Sequence, residues 1–467
     1  MSYYEMRLTL PTAKCEIYVD GFSGQDLLGR AETGKQLTAL VDRLEDPVVI
    51  ALDGPWGSGK SYFLQRWAGA HHNEFSGNST VIYLDAFKND YLDDPLIALT
   101  AAIADRFEKA EEAGRGRSWE RAKRAAVSLS RPAFRIGLAM GTAGLSEVVG
   151  PALDAALKAA GEDIEQRAED AFWAAEQSRR AAMEQFRGAL DAITAGGEGE
   201  DEGSPIVIVV DELDRCRPDY ALAMLEVAKH FFSVPRVHFV LGVNMNALQH
   251  IVRARYGVSV DAAEYLKRFV SIVLNLPESS DQYGRTVASY TYFEAVAARM
   301  EIPHSISKTL LGPHVKLLAK SGNLSLRDVE RLLSHAVLVP DFESLIRYRS
   351  GYQVVVASCL ILKALRPELY DAAIKNSIAI EQIDDFYGIT AEMIGADQAS
   401  RRSGKFSQDA MMINKCWSFI ISGGESEKSD EKRELLSRMF DEFGDVHLPS
   451  FVRSIGESHF SNFRLIG

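Results

Sequence analysis

The chain has 467 residues, 46% hydrophobic and 25% charged, a balance that excludes a disordered, collagen-like or small disulfide-stapled protein. Lys and Arg number 52 against 65 Asp and Glu, a formal net charge of −13, so no general nucleic-acid-binding surface is expected. Its length suggests two or three domains. The four cysteines, Cys15, Cys216, Cys359 and Cys416, share no metal spacing and read as free thiols of a reducing compartment. The first residues, MSYYEMRLTL, lack the basic flank and apolar core of a secretory signal. Residues 133–150 are the most apolar long stretch, but they carry Arg135 and Glu147. Their uncharged run is too short for a membrane span of about 20 residues. A cytoplasmic protein with no transmembrane segment is expected.

In chain order, residues 47–53 (PVVIALD) form a short β-branched apolar run that ends at Gly54. Such a run suits a strand buried on both faces, as in a parallel sheet. Residues 81–84 (VIYL), 206–210 (IVIVV) and 237–243 (VHFVLGV) have the same character, with helix-like stretches between them. The spacing predicts an α/β fold with a parallel sheet. Residues 105–202 are rich in Ala, Arg and Glu at helical spacing and close on the acidic, Gly-rich GGEGEDEGSP. They read as a helical insertion within a core made of residues 1–104 and 203–300. The insertion's aromatics, Trp119, Phe134, Phe172, Trp173 and Phe186, suit core packing better than a partner-binding face. Residues 301–467, with SLRDVERLLSHAVLV and YQVVVASCLILKAL, read as a mainly helical C-terminal domain.

Gly54-Pro55-Trp56-Gly57-Ser58-Gly59-Lys60-Ser61 matches G-x-x-x-x-G-K-[ST] at every fixed position, between an apolar strand and a helix that includes Tyr62. Glycines let the loop's N–H groups converge on phosphate oxygens, and the helix N-terminus points at the same anion. Lys60 would neutralise the β- and γ-phosphates, and the Ser61 hydroxyl would be a Mg²⁺ ligand. The bland alternative is a Gly-rich turn with a surface lysine. The VIVVDE run then delivers Asp211 to the sheet edge as a second Mg²⁺ ligand, with Glu212 placed to activate water. Alternatively, the two acids begin a helix. Asn244 ends the next strand, where it either senses the γ-phosphate or simply makes a turn.

Two other motifs mislead. Asn414-Lys415-Cys416-Trp417 lacks the Asp of a guanine-reading N-K-x-D, which disfavours GTP. Residues 421–425 (ISGGE) imitate a transporter-ATPase signature but lie about 200 residues past its proper place, and read as a turn.

The motifs together resemble the KAP family of P-loop NTPases over most of the chain. Carrying the likeness are Asp26-Leu27-Leu28-Gly29-Arg30, the GPWGSGKS loop, Asp85-Ala86-Phe87-Lys88, Asp211-Glu212-Leu213-Asp214-Arg215-Cys216, Tyr265-Leu266-Lys267-Arg268-Phe269 and Ser325-Leu326-Arg327-Asp328-Val329. The resemblance implies a Mg²⁺-dependent ATPase with a P-loop NTPase core, whose helical lid couples ATP to a protein partner and sometimes to ATP-dependent self-assembly. Its phage-exclusion branch implies a bacterial anti-phage role. Gly29 and Arg30 would border the adenine or ribose, or form a plain turn. Arg327 would be a lid arginine at the γ-phosphate, or would pair with Asp328 or Glu330 on its own helix. Arg253, Arg255 and Arg268 are candidates to act on a neighbouring subunit's ATP, and Arg215 is expected to brace Asp211 or Asp214. Two further readings remain: a nucleotide-gated scaffold with little hydrolysis, and a nucleic-acid motor, which the charge disfavours.

Overall fold

The computed structural model describes residues 15–111 apart from 93, separate positions between 181 and 197, and 201–230, 234–277, 287–339, 346–395, 405–423 and 436–457 apart from 437 and 441–447. Most of the expected insertion, with its five aromatics and the 133–150 stretch, lies outside the described residues.

Five strands make one parallel sheet: β1 (Val49–Asp53), β2 (Thr80–Asp85), β3 (Ile206–Asp211), β4 (Val237–Val243) and β5 (Ile272–Asn275). Their order is β2-β3-β4-β1-β5, so β4 separates the strand before Gly54 from the strand bearing Asp211. Parallel strands bring all their C-terminal ends to one edge. In register, Asp53 lies beside Val243, and Asp211 lies between Asp85 and Gly242.

The strands read as unbroken apolar runs because both faces are covered. Ile50, Leu52, Val207, Val209 and Val240 pack with Phe63, Leu64 and Trp67 of α2 (Lys60–Asn73) and with α1 (Ala31–Val41). The alternate residues, including Ala51, Ile208 and Val210, meet α3 (Pro95–Glu111), α4 (Pro218–His230) and α5 (Met245–Tyr256) on the other face. Each fully buried Leu, Ile or Phe contributes about 1.5–3 kcal/mol relative to exposure. Helix α3 runs through the boundary drawn at 104 from composition, because its apolar stripe, ending at Phe107, stays on the sheet.

A separate helical core follows, built from α6 (Ala288–Arg299), α7 (Gly312–Lys320), α8 (Leu326–Val337), α9 (Ser350–Leu365), α10 (Ile380–Tyr387), α11 (Lys405–Ile421) and α12 (Leu448–Ile455). Phe293, Val296 and Ala297 bury α6 in this core, so the helical region begins before the expected residue 301. Asn414 is part of α11 and donates to Asp384, consistent with a packing role. After α11, Gly423 turns the chain at φ +65°. Among the described residues no helix is long and apolar enough to cross a membrane.

Candidate nucleotide site

The loop from Gly54 to Gly59 leaves β1 and enters α2 through two left-handed glycines, Gly57 at φ +82° and Gly59 at φ +86°. Neither position tolerates a side chain. A Cβ on Gly57 would sit 2.8 Å from Ser325 Oγ, and one on Gly59 would sit 2.8 Å from Arg30 Nη1.

Arg30 opens α1 and is buried, at 5% exposure. Its Nη2 donates to the Ser58 carbonyl (2.8 Å) and its Nη1 to that of Gly59 (3.4 Å). Across a planar trans peptide, a carbonyl drawn one way turns the next N–H the other way. Arg30 therefore aims the Gly59 and Lys60 N–H groups at the opposite side, where a phosphate would lie. Burial lowers the Arg30 pKa to about 10, with Asp26 opposing the shift. Asp26 holds the segment by accepting from the N–H groups of Arg30 (2.7 Å) and Ala31 (2.8 Å). Gly29, at φ +64°, makes the turn and does not line the cavity.

Lys60 is buried, and its ammonium donates to the Gly54 (2.6 Å) and Pro55 (3.1 Å) carbonyls of its own loop. Burial lowers its pKa, and Asp214, Asp211 and Asp53 oppose that shift. Facing it, Asp211 is 1% exposed and accepts from the Tyr83 hydroxyl at 2.7 Å. Burial raises the Asp211 carboxyl to about 6. Gly242 on β4 makes room for that carboxylate, since a Cβ there would approach Asp211 Oδ1 to 2.4 Å.

Glu212 follows in a left-handed conformation, φ +58°, which is uncommon for a residue with a side chain. It stands at the N-cap position of the short 3₁₀ turn Leu213–Arg215, but its side chain makes no capping hydrogen bond. Its Oε1 accepts from Ser61 Oγ at 3.4 Å and pairs with Arg215 Nη1 at 2.7 Å. Arg215 was expected on Asp211 or Asp214 but pairs with Glu212 instead, while Asp214 accepts from the Trp56 indole at 2.5 Å. Trp56 thus ties the phosphate loop to the turn after β3.

These groups surround a cavity of about 360 Å³. Trp56, Gly57, Gly59, Lys60, Ser61 and Tyr62 line one side, and Asp211, Glu212 and Arg215 line another. The helical region closes it. Arg327 of α8, with Tyr292 and Arg299 of α6, faces the same space. The Leu326 N–H donates to the Gly57 carbonyl at 3.0 Å, a direct bond between the two regions. Among the described residues Arg327 has no ion pair: Asp328 closes a capping box with Ser325, and Glu330 accepts from Tyr292. The self-paired alternative for Arg327 is therefore not what forms.

Asn244 sits where expected, at the end of β4, but its side chain caps α5 by accepting from Asn246 (3.1 Å) and Ala247 (3.3 Å). It does not line the cavity, and neither do Arg253, Arg255 or Arg268. Sequence reasoning missed Tyr292, Arg299 and Gly242. The first two lie on a helix with no local motif, and the glycine is marked only by interrupting an apolar strand.

Serine, carboxylate, lysine and converging N–H groups on one cavity make a site for a nucleotide's phosphates. The chain matches the model of the KAP family P-loop domain over residues 30–339, about two thirds of its length. No curated protein matches significantly. Among solved structures, a DNA replication initiation factor aligns at 12% identity and TM-score 0.31, over 97% of this chain and 93% of that one. The ORC2 protein of Aeropyrum pernix, ADP form, aligns at 12% identity and TM-score 0.34, covering 92% and 98%. At these TM-scores the likenesses are remote, and the family match alone carries the assignment. The chain belongs to the KAP family of P-loop NTPases.

Proposed function

We propose that the chain binds ATP with Mg²⁺ in this cavity and hydrolyses it, and that the helical region reads the occupied state. The observation that carries this reading is the shared cavity. Residues of the phosphate loop, the acidic pair at the end of β3, and α8 all line it, and Leu326 bonds directly to Gly57.

The Mg²⁺ assignment rests on the donor set. A hydroxyl and a carboxylate are the hard oxygen ligands that Mg²⁺ prefers. Asp211 is buried, and burial raises its carboxyl to about 6, so a bound cation would offset the cost of charging it there. Ser61 and Asp211 would hold the ion, which would neutralise phosphate charge. Lys60, now held by its own loop's carbonyls, would turn to the phosphates. Glu212 would accept the proton of the attacking water, and Arg327 would approach the γ-phosphate from the lid. Tyr62 and the segment before Arg30 would flank the base. Asn244 would act on the γ-phosphate only by releasing its cap.

A second reading has its own support. Glu212 is held by Arg215, and Lys60 by its own loop, an arrangement that favours a nucleotide-gated scaffold with slow turnover. Cytoplasmic residence is read from the four cysteines as free thiols of a reducing compartment. A protein partner, or an ATP-dependent assembly in which Arg253, Arg255 or Arg268 meets a neighbour's nucleotide, follows from the family resemblance. So does an anti-phage role.

The test is steady-state ATP hydrolysis with Lys60→Ala and Glu212→Gln alongside, together with solution mass with and without ATP. A general base is worth roughly 10²–10⁴ in rate. Glu212→Gln should therefore lose at least about 100-fold in turnover while still binding ATP, and Lys60→Ala should lose binding. A wild type that binds ATP but turns over no faster than Glu212→Gln supports the scaffold. A wild type that binds no nucleotide refutes both.

A further inference from the structure

Arg215 and Glu212 are three residues apart on a 3₁₀ turn, closed by Arg215 N–H donating to the Glu212 carbonyl at 3.1 Å. The left-handed backbone of Glu212 and the turn that follows it bring Arg215 Nη1 to 2.7 Å from Glu212 Oε1. The pair is partly enclosed, with 29% and 19% of the two side chains exposed, and both line the nucleotide cavity. Each adjacent acid has another partner, Asp211 accepting from the Tyr83 hydroxyl and Asp214 from the Trp56 indole. Arg215 and Lys60 line the same cavity.

We propose that Arg215 is a positioning residue that holds Glu212 while the outer phosphate is absent and exchanges onto the γ-phosphate when a nucleoside triphosphate binds. This rests on the reading of the cavity as an ATP site. The argument is a competition between anions for one cation. A carboxylate carries one negative charge and presents two oxygens to the guanidinium. A γ-phosphate carries up to two charges on three oxygens, which suits the planar fork at least as well. A diphosphate has no group at that position, so with ADP the pair stays closed. Glu212 is then freed for water only when there is a γ-phosphate to attack. The same exchange makes the site distinguish ATP from ADP through a residue on its own chain.

The experiment uses the purified full chain and calorimetric titration with ADP and with a non-hydrolysable ATP analogue. Wild type, Arg215→Met, Arg215→Lys, Glu212→Gln and the double variant Arg215→Met/Glu212→Gln are compared. In Arg215→Met, ADP affinity should stay within about 2-fold of wild type while analogue affinity falls about 10-fold or more. Arg215→Lys, which keeps the charge but not the fork, should recover part of that loss. Glu212→Gln should tighten the analogue relative to ADP, since it removes the competing anion, and the double variant should lose that gain. An unchanged analogue-to-ADP ratio in Arg215→Met overturns the proposal. So does an equal loss for both nucleotides, which is what a purely structural brace would produce. If wild type binds neither ligand, the ATP reading itself has failed, a result distinct from either of these.

Discussion

At the scale of single residues, the site depends on places where a side chain is absent. Gly242 lies in the middle of the sheet, where glycine normally weakens a strand. It is there because Asp211 fills the space its Cβ would take. Gly242→Ala would push a methyl to 2.4 Å from Asp211 Oδ1 and 2.6 Å from Leu64 Cδ1, and both neighbours are buried. The carboxylate would have to leave the Tyr83 hydroxyl, and the strained core should cost about 1–3 kcal/mol. The expected outcome is a lower unfolding temperature together with loss of the Mg²⁺-dependent part of ATP binding. Thermal denaturation and titration with and without Mg²⁺ measure both. Wild-type behaviour in both would show that the sheet yields and that the glycine has no bearing on the metal ligand. Arg30 shows another kind of dependence. A guanidinium at 5% exposure is costly to bury unless it is bonded, and here its bonds set the direction of the loop's N–H groups.

At the scale of elements, local chemistry explains what could be read from the chain and what could not. Residues 47–53, 81–84, 206–210 and 237–243 announce strands because both of their faces are covered, and each lies on or within a residue or two of an observed strand. The fifth strand, Ile272–Asn275, was not anticipated. It is at the sheet edge with alternate residues half-exposed, and it lacks the continuous apolar run. The phosphate loop and the acids after β3 were legible because their residues are contiguous. Tyr292 and Arg299 were not, since they reach the cavity from a helix more than 200 residues beyond the loop in sequence. Asn244 is ambiguous for a physical reason: a polar residue between a strand tip and a helix start satisfies orphan N–H groups just as well as it satisfies a ligand.

The helical region has its own electrostatic sensitivity. His314 is fully buried on α7, with Nδ1 3.0 Å from the Tyr387 hydroxyl and 3.4 Å from that of Ser358. Burial holds its pKa down to about 3, against an ordinary value of 6.5. The unfolded chain therefore takes up the proton first as pH falls. The stability tied to the neutral imidazole is complete above pH 6.5. Below that it is lost at roughly 1.4 kcal/mol per pH unit, until the folded group titrates near pH 3. Burial shifts His71, His238 and His335 in the same direction, so the wild-type slope is a sum. His314→Gln should remove one share, flattening the dependence of the urea midpoint between pH 7 and 5. An unchanged slope would sink the assignment.

At the scale of the whole molecule, the question is how the sheet core and the helical region exchange information. Their junction at the loop has two parts. One is the backbone bond from Leu326 to Gly57. The other is Arg327, exposed on the cavity side without an ion pair among the described residues. The first part is an uncharged main-chain link at the cavity wall, and the second brings a charge to the same space. A ligand shifts a conformational equilibrium only by binding the two states differently. On the proposed reading, the exposed Arg327 guanidinium would supply such a difference toward a phosphate. Backbone hydrogen exchange separates the two parts. In wild type, ATP should slow exchange in residues 57–63 and in residues 322–330 together. In Arg327→Ala, the same ATP occupancy should slow only the loop, because α8 keeps its bond to Gly57 but gains nothing from the nucleotide. Slowing of both segments in the variant would mean that the backbone bond alone transmits occupancy, with Arg327 dispensable for lid closure.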